Sequence, residues 1–111
     1  MANVGTHYVA RDFFDTENSP GLTIGATSTA LTASLYAPGT TAAPATLASF
    51  ALLTVETDQI RWFADGTTPT ATFGHLANSG DVIELQGTNV IVNFRAIRVT
   101  TNATLQVSYA R

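Results

Sequence analysis

The run that most constrains the fold lies near the C-terminus. Thr104 to Tyr109, TLQVSY, places Leu105, Val107 and Tyr109 on one side and Thr104, Gln106 and Ser108 on the other. Side chains alternate across a strand with period two, so this pattern describes a half-buried strand and fits no helix. The same period recurs upstream. Gln59 to Ala64 sets Ile60, Trp62 and Ala64 against Gln59, Arg61 and Phe63, and Asp81 to Gln86 sets Ile83 and Leu85 against Val82 and Glu84. Leu22 to Ile24 reads as a short strand, and Ala30 to Tyr36 alternates Leu31, Ala33 and Leu35 with Thr32, Ser34 and Tyr36. Thr46 to Val55, TLASFALLTV, is apolar on both faces, as a covered central strand is; its Ala and Leu would also suit a helix, and the flanking β pattern favours the strand. Val90 to Val99, VIVNFRAIRV, is β-branched enough for another long strand. Turn signals separate these runs: PGTTAAP at 38–44, Asp65-Gly66, Asn78 to Asp81, Gly87-Thr88-Asn89 and Thr101-Asn102. Short strands at such spacing, with no convincing long helix, predict an all-β sandwich or barrel of seven or eight strands over 22–111, and the reading adopted is a single-domain antiparallel β-sandwich of jelly-roll type. Residues 1–21 read as an N-terminal arm.

A chain of 111 residues is sized for one domain and can bury a core of its own. It has no cysteine, which excludes disulfide frameworks, cysteine zinc sites and thiol catalysis. Only 12% of residues are charged, all five basic residues are arginine, and the net charge is −3. A nucleic-acid partner needs a basic patch to displace counterions, and none is evident. No stretch is long and apolar enough to span a membrane, and the first residues lack the basic and apolar regions of a secretion signal. So little charge, with abundant threonine and alanine, suits a protein packed against neighbours.

The histidines, His7 and His75, are far apart in sequence, and no nucleophile elbow or comparable spacing is present. No catalytic residue is expected, and the chain reads as a non-enzyme. Asp12, Asp15 and Glu17 lack the glycine and terminal glutamate of a calcium loop, and Glu56 and Asp58, flanking Thr57 in a turn, are too few oxygens for a metal. Both clusters read as solvated acidic edges, with no cofactor or metal expected. The interface candidates are Tyr8, Arg11, Phe13 and Phe14 in the arm and Arg95 and Arg98 in the late strand, because aromatics and arginine dominate interface energetics. Three residues apart in a strand, Arg95 and Arg98 point to opposite faces, one toward a neighbouring subunit and one pairing with Glu84 or Asp81.

The loop DGTTPTATFGH is the remaining candidate. Gly66 supplies a positive φ, Asp65 accepts from an amide two residues on, and Pro69 stops strand pairing. The loop reads as a rigid connection between two antiparallel strands, pinned by hydroxyls and by Phe73. A sugar contact through Asp65, Thr67 and Trp62, or a protein contact, is the alternative. Trp62 shares a face with Ile60 and is expected in the core.

IRWFADGTTPT, followed by GHL, GDVIEL, FRAIRV and LQVSY, resembles a group of small structural proteins of tailed bacteriophages. The resemblance runs from Ile60 to Tyr109. It implies a virion component that either decorates the capsid or belongs to the tail; the reading preferred is a decoration or cement protein at the capsid surface that bridges major capsid protein subunits, with a tail or neck adaptor as the alternative. It also implies a homotrimer or other homo-oligomer, and partners among the virion proteins. The D-G-T-x-P-T turn also resembles one in β-sandwich modules appended to bacterial glycosidases, which implies a carbohydrate-binding module using Trp62 or Tyr36 as a stacking ring.

Overall fold

The alternating runs stack as two antiparallel sheets. The computed structural model describes residues 12–37 and 47–111. In chain order the elements are β1 (Phe13–Thr16), β2 (Leu22–Ile24), β3 (Thr29–Ala30), α1 (Ala33–Tyr36), β4 (Phe50–Glu56), β5 (Ile60–Phe63), β6 (His75–Ala77), β7 (Val82–Gln86), α2 (Thr88–Val92), β8 (Arg95–Arg98) and β9 (Ala103–Ala110). The larger sheet has the order β1-β9-β4-β7, with β2 also on β9, and the smaller has the order β3-β8-β5-β6.

β1 and β2 lie end to end along β9. Phe13 stands opposite Ala110 and Thr16 opposite Ser108, while Leu22 stands opposite Leu105 and Ile24 opposite Ala103. They are one edge strand interrupted at 17–21, where the Ser19–Pro20 peptide is cis. Counted so, eight strands run 1-8-3-6 in one sheet and 2-7-4-5 in the other. This is the jelly roll, two Greek keys folded into facing sheets, and the expected fold class is the observed one.

The inner faces meet in one core. Leu53 and Val55 from β4, Leu105 and Tyr109 from β9 and Ile60 from β5 are completely buried. Removing such a side chain from water stabilises the fold by roughly 1.5–3 kcal/mol. β4 is the covered central strand the sequence predicts, paired with β7 on one side and β9 on the other. Phe50 belongs to its outer face, yet is 2% exposed, with the Phe13 ring 6.2 Å away.

Three expectations differ from the structure. The run Ala30 to Tyr36 is not a strand: β3 ends at Ala30, and α1 follows. Thr32 turns the chain because its N–H and hydroxyl both donate to the Glu17 carboxylate, while its carbonyl accepts from Leu35. Alanine, serine and leucine then accept a helical turn readily. Val90 to Val99 is likewise not one strand. Gly87, at φ 112, ends β7, and Thr88 to Val92 form α2, so the expected turn at Gly87-Thr88-Asn89 opens a helix. The Thr88 hydroxyl donates to Ala48 O, the Asn93 amide donates back to Asn89 O, and Ile91 is buried. These tertiary contacts override the β preference of Val90, Ile91 and Val92.

The third difference is the arm. Its residues 1–11 lie outside the described residues. Its second half does not stand apart, because Phe13–Thr16 pairs with β9. Glu17 is not part of a solvated acidic edge, being only 8% exposed. Tyr109 donates to its Oε2 at 2.6 Å, and Thr32 supplies donors at 3.1 and 2.8 Å. A buried carboxylate survives when its lone pairs are satisfied, and this one ties the end of β1 to α1 and to the last strand.

Candidate interaction surface

The loop Asp65 to Gly74 connects β5 to β6, which pair antiparallel with Ile60 opposite Ala77 and Trp62 opposite His75. Asp65 Oδ1 accepts the Thr67 N–H at 3.0 Å, the Asx turn expected of this sequence. That bond, with the Thr67 hydroxyl close by, holds the Asp65 carboxyl below the usual carboxylate range. Gly66 has φ 89, and its N–H donates to Asn93 O at 3.2 Å, docking the loop on the end of α2. Pro69 is fully buried. Thr70 and Phe73 exchange backbone hydrogen bonds of 2.9 and 3.1 Å, closing a small turn at the tip. Gly74, at φ 142, passes so close to β5 that a Cβ there would lie 3.2 Å from Trp62 N. Arg61 donates to Gly74 O at 3.0 Å and seals this approach. The excursion is therefore ordered by its own bonds, as expected.

It also organises a chain of rings. Trp62 stacks on the buried Phe94 at 5.8 Å and tilts against His75 at 5.0 Å; His75 meets Phe63 at 5.4 Å, and Phe63 meets Phe73 at 5.0 Å. The chain leads from core to solvent. Trp62 is half-buried at the boundary of the core and not within it, since its partner across the ladder, His75, belongs to the sheet's exposed edge strand. Phe73 pins the loop by its ring contact with Phe63, yet is 57% exposed.

Antiparallel partners share a face, so the registers define the outer face of the small sheet. Arg61 pairs with Leu76 and Ile97, and Phe63 pairs with Arg95. The face therefore presents Phe63, Leu76 and Ile97 between two arginines, with Phe73 lying over Phe63. Among the described residues, the exposed large hydrophobic side chains are Phe73, Leu76 at 45% and Val92 at 42%. Leu76 lies on this face and Phe73 packs on its Phe63, while Val92 ends α2; Arg95 donates to Val92 O at 3.0 Å and to Phe94 O at 2.8 Å. The arginines meet backbone carbonyls, and among the described residues neither has a carboxylate partner. Apolar rings beside uncompensated arginines are the composition of an interface centre. The Asp65 carboxylate is turned into its own loop.

The other expected site residues are dispersed. Tyr8 and Arg11 lie outside the described residues. Phe13 and Phe14 are half-buried in β1, the former near Phe50 and the latter under the Arg111 guanidinium at 4.4 Å. Arg98 does point away from Arg95, toward the inner face opposite Ile60, but it pairs with neither Glu84 nor Asp81. It donates to Asn102 Oδ1 at 2.6 Å, because β7 and β8 belong to different sheets. Trp62 and Tyr36, the expected sugar platforms, pack toward Phe94 and Tyr109. Sequence reasoning missed Leu76 and the outward role of Phe63 and Phe73. The alternation of Arg61 and Phe63 against Ile60 and Trp62 carried half of that signal. The other half needed the β5–β6 register. Among the described residues no three His, Cys, Asp or Glu side chains gather as a metal site would require. Comparison with protein-family models, curated proteins and solved structures yields no match.

Proposed function

We propose that this chain is a non-enzymatic structural protein of a tailed-phage virion, first of all a capsid decoration protein that bridges major capsid protein subunits. The observation that carries an adhesive role is the outer face of the small sheet, where Phe63, Phe73 and Leu76 stand in or near solvent beside Arg61 and Arg95. Exposed apolar groups gathered on one face mark contact sites. The phage assignment rests on the motifs between Ile60 and Tyr109. Jelly rolls serve viral coats and lectins alike, so the fold accommodates the reading without choosing it. A decoration protein needs only a modest contact per copy, because many copies on one lattice raise the effective concentration.

The test is cryo-EM of particles from the source phage with gold-labelled antibody to this chain, followed by add-back of purified protein to particles stripped of it. Label on the head, and add-back lost with Phe73→Ser/Leu76→Ser, supports the decoration reading. Label confined to the tail or neck moves the protein to the adaptor reading. Absence from the particle, with binding of the purified chain to glycans, replaces both with the carbohydrate-binding reading.

A further inference from the structure

The two outer faces of the sandwich carry opposite charge. On the small sheet, Arg61 and Arg95 flank Phe63, Ile97 and Leu76. On the large sheet, the outward positions of β4, β7 and β9 hold Glu56 and Glu84 and no basic residue. Leu52 stands opposite Glu84, Thr54 opposite Val82 and Glu56 opposite Thr104. Glu84 is exposed and makes no ion pair among the described residues, and Glu56 is exposed and accepts only from the Gln106 amide at 3.2 Å. Each face thus has an apolar centre between like charges, half-buried Leu52 and Val82 on one and Phe63 and Ile97 on the other.

We propose that a second copy of this chain docks head to tail, its glutamate face seated on the arginine–aromatic face of the first. The charges decide between this contact and its rival. A symmetric pair of small-sheet faces would bring four arginines together across one interface, and like charges in register oppose association. The glutamate face reverses that sign and offers threonine methyls, Leu52 and Val82 to the exposed rings.

Geometry then sets the form of the assembly. The two faces lie on opposite sides of the sandwich, so each docked copy presents the same free face again. A heterologous contact of this kind does not close on itself and grows by addition. It is also small. Four strands about 4.8 Å apart and four residues about 3.3 Å each span roughly 250 Å² before side-chain relief, against about 800 Å² per partner in a stable complex. Free copies therefore associate weakly, and a lattice that holds them close strengthens the contact. This inference goes beyond the virion reading and is tested without a virion.

Sedimentation velocity of the full chain, from about 10 μM to about 1 mM, spans the range expected of a small interface. The weight-average mass should climb above the 11.7 kDa monomer without a plateau at dimer or trimer. The climb should diminish in about 0.5 M salt, where exposed charges are screened. Glu56→Lys/Glu84→Lys should remain monomeric across the range, and so should Arg61→Glu/Arg95→Glu. An equimolar mixture of the two should associate again, because each reversed face finds a complementary one. If the arginine variant fails to melt cooperatively, Leu76→Glu, at an exposed position, replaces it and should remain monomeric. A monomer at every concentration, a closed dimer or trimer, or association indifferent to the glutamate reversal overturns the proposal. A chain that coats particles yet never self-associates sinks this inference and spares the virion reading; one that self-associates but binds no particle does the reverse.

Discussion

Replacing Tyr109 with phenylalanine removes one oxygen from the interior and tests what holds the interrupted edge strand in place. The ring is completely buried, and its hydroxyl donates to Glu17 Oε2 at 2.6 Å. Phenylalanine fills the same space without the oxygen, so the change isolates the bond. A hydrogen bond to a charged acceptor contributes about 1.5–3 kcal/mol. The carboxylate keeps the Thr32 N–H and hydroxyl, so it is not left bare and the loss stays within that range. For a domain whose whole stability is of order 5–15 kcal/mol, this is a large fraction. It corresponds to roughly 6–12 °C in melting temperature at this size. Urea melts at pH 7, followed by near-ultraviolet circular dichroism, measure it. The cycle with Glu17→Ala separates the pair from the packing. Because the two residues share a bond, the double variant should be less destabilised than the sum of the singles, by about 1 kcal/mol or more. A Tyr109→Phe cost below about 0.5 kcal/mol, or strict additivity, would show that Glu17 is held by something else and that β1 does not depend on this link.

Four further outcomes follow from local geometry. Gly66→Ala should cost about 1 kcal/mol, since φ is 89 but a Cβ would meet nothing nearer than Asn93 Oδ1 at 3.6 Å; Gly74→Ala should cost more in the same urea melts, because at φ 142 its Cβ would also press on Trp62 N and Arg61 Cβ at 3.2 Å. Thr57→Gly should stabilise by about 0.5–1 kcal/mol, because Thr57 sits at φ 80 in a three-residue turn closed by Asp58 N–H donating to Glu56 O at 3.0 Å, a conformation strained for a β-branched residue. Trp62 fluorescence should be partly quenched by iodide, between the limits of a free indole and a buried one, and Trp62→Ala should cost about 3 kcal/mol, the low end for a large aromatic. Burial, and then the bond to Glu17, push the Tyr109 phenol up, so it stays neutral in the fold while the unfolded chain ionises near pH 10; its contribution is complete below that pH and declines above it by up to about 1.4 kcal/mol per unit, and the 295 nm absorbance difference between wild type and Tyr109→Phe should appear only with unfolding.

The strands legible in the sequence share a physical property. β7 and β9 each bury one face and leave the other partly in water, so a period of two is written into their residues, and β5 carries the same alternation although only Ile60 of its inner face is buried. β4 is readable for a different reason: a run apolar on both sides has nowhere to go but the middle of a sheet. The failures are places where one long-range bond outweighs local preference. Thr32 leaves the strand because a carboxylate 15 residues earlier takes its N–H. Val90 to Val92 coil because Gly87, Thr88 and Asn93 fix both ends of the turn through backbone geometry and side-chain bonds to carbonyls. Glu17 looked like a solvated acid because its partner Tyr109 lies 92 residues away. No window short enough to read by eye contains both.

The candidate surface was half legible for the same reason. Period two placed Phe63 and Arg61 together, on the side opposite Ile60 and Trp62. It could not say that Leu76 would stand beside Arg61 or that Phe73 would fold over Phe63, because both depend on the β5–β6 register set by the closure of the loop at Gly74. That closure explains why the loop is ordered and why the face is apolar. Gly74 must pass close to Trp62, Arg61 must reach across to its carbonyl, and the chain then re-enters the sheet at His75 with Leu76 forced outward. A substitution that loosens the glycine would therefore shift the register of β6 and turn Leu76 inward. The surface would lose its apolar centre while the core strands β4 and β9 kept theirs.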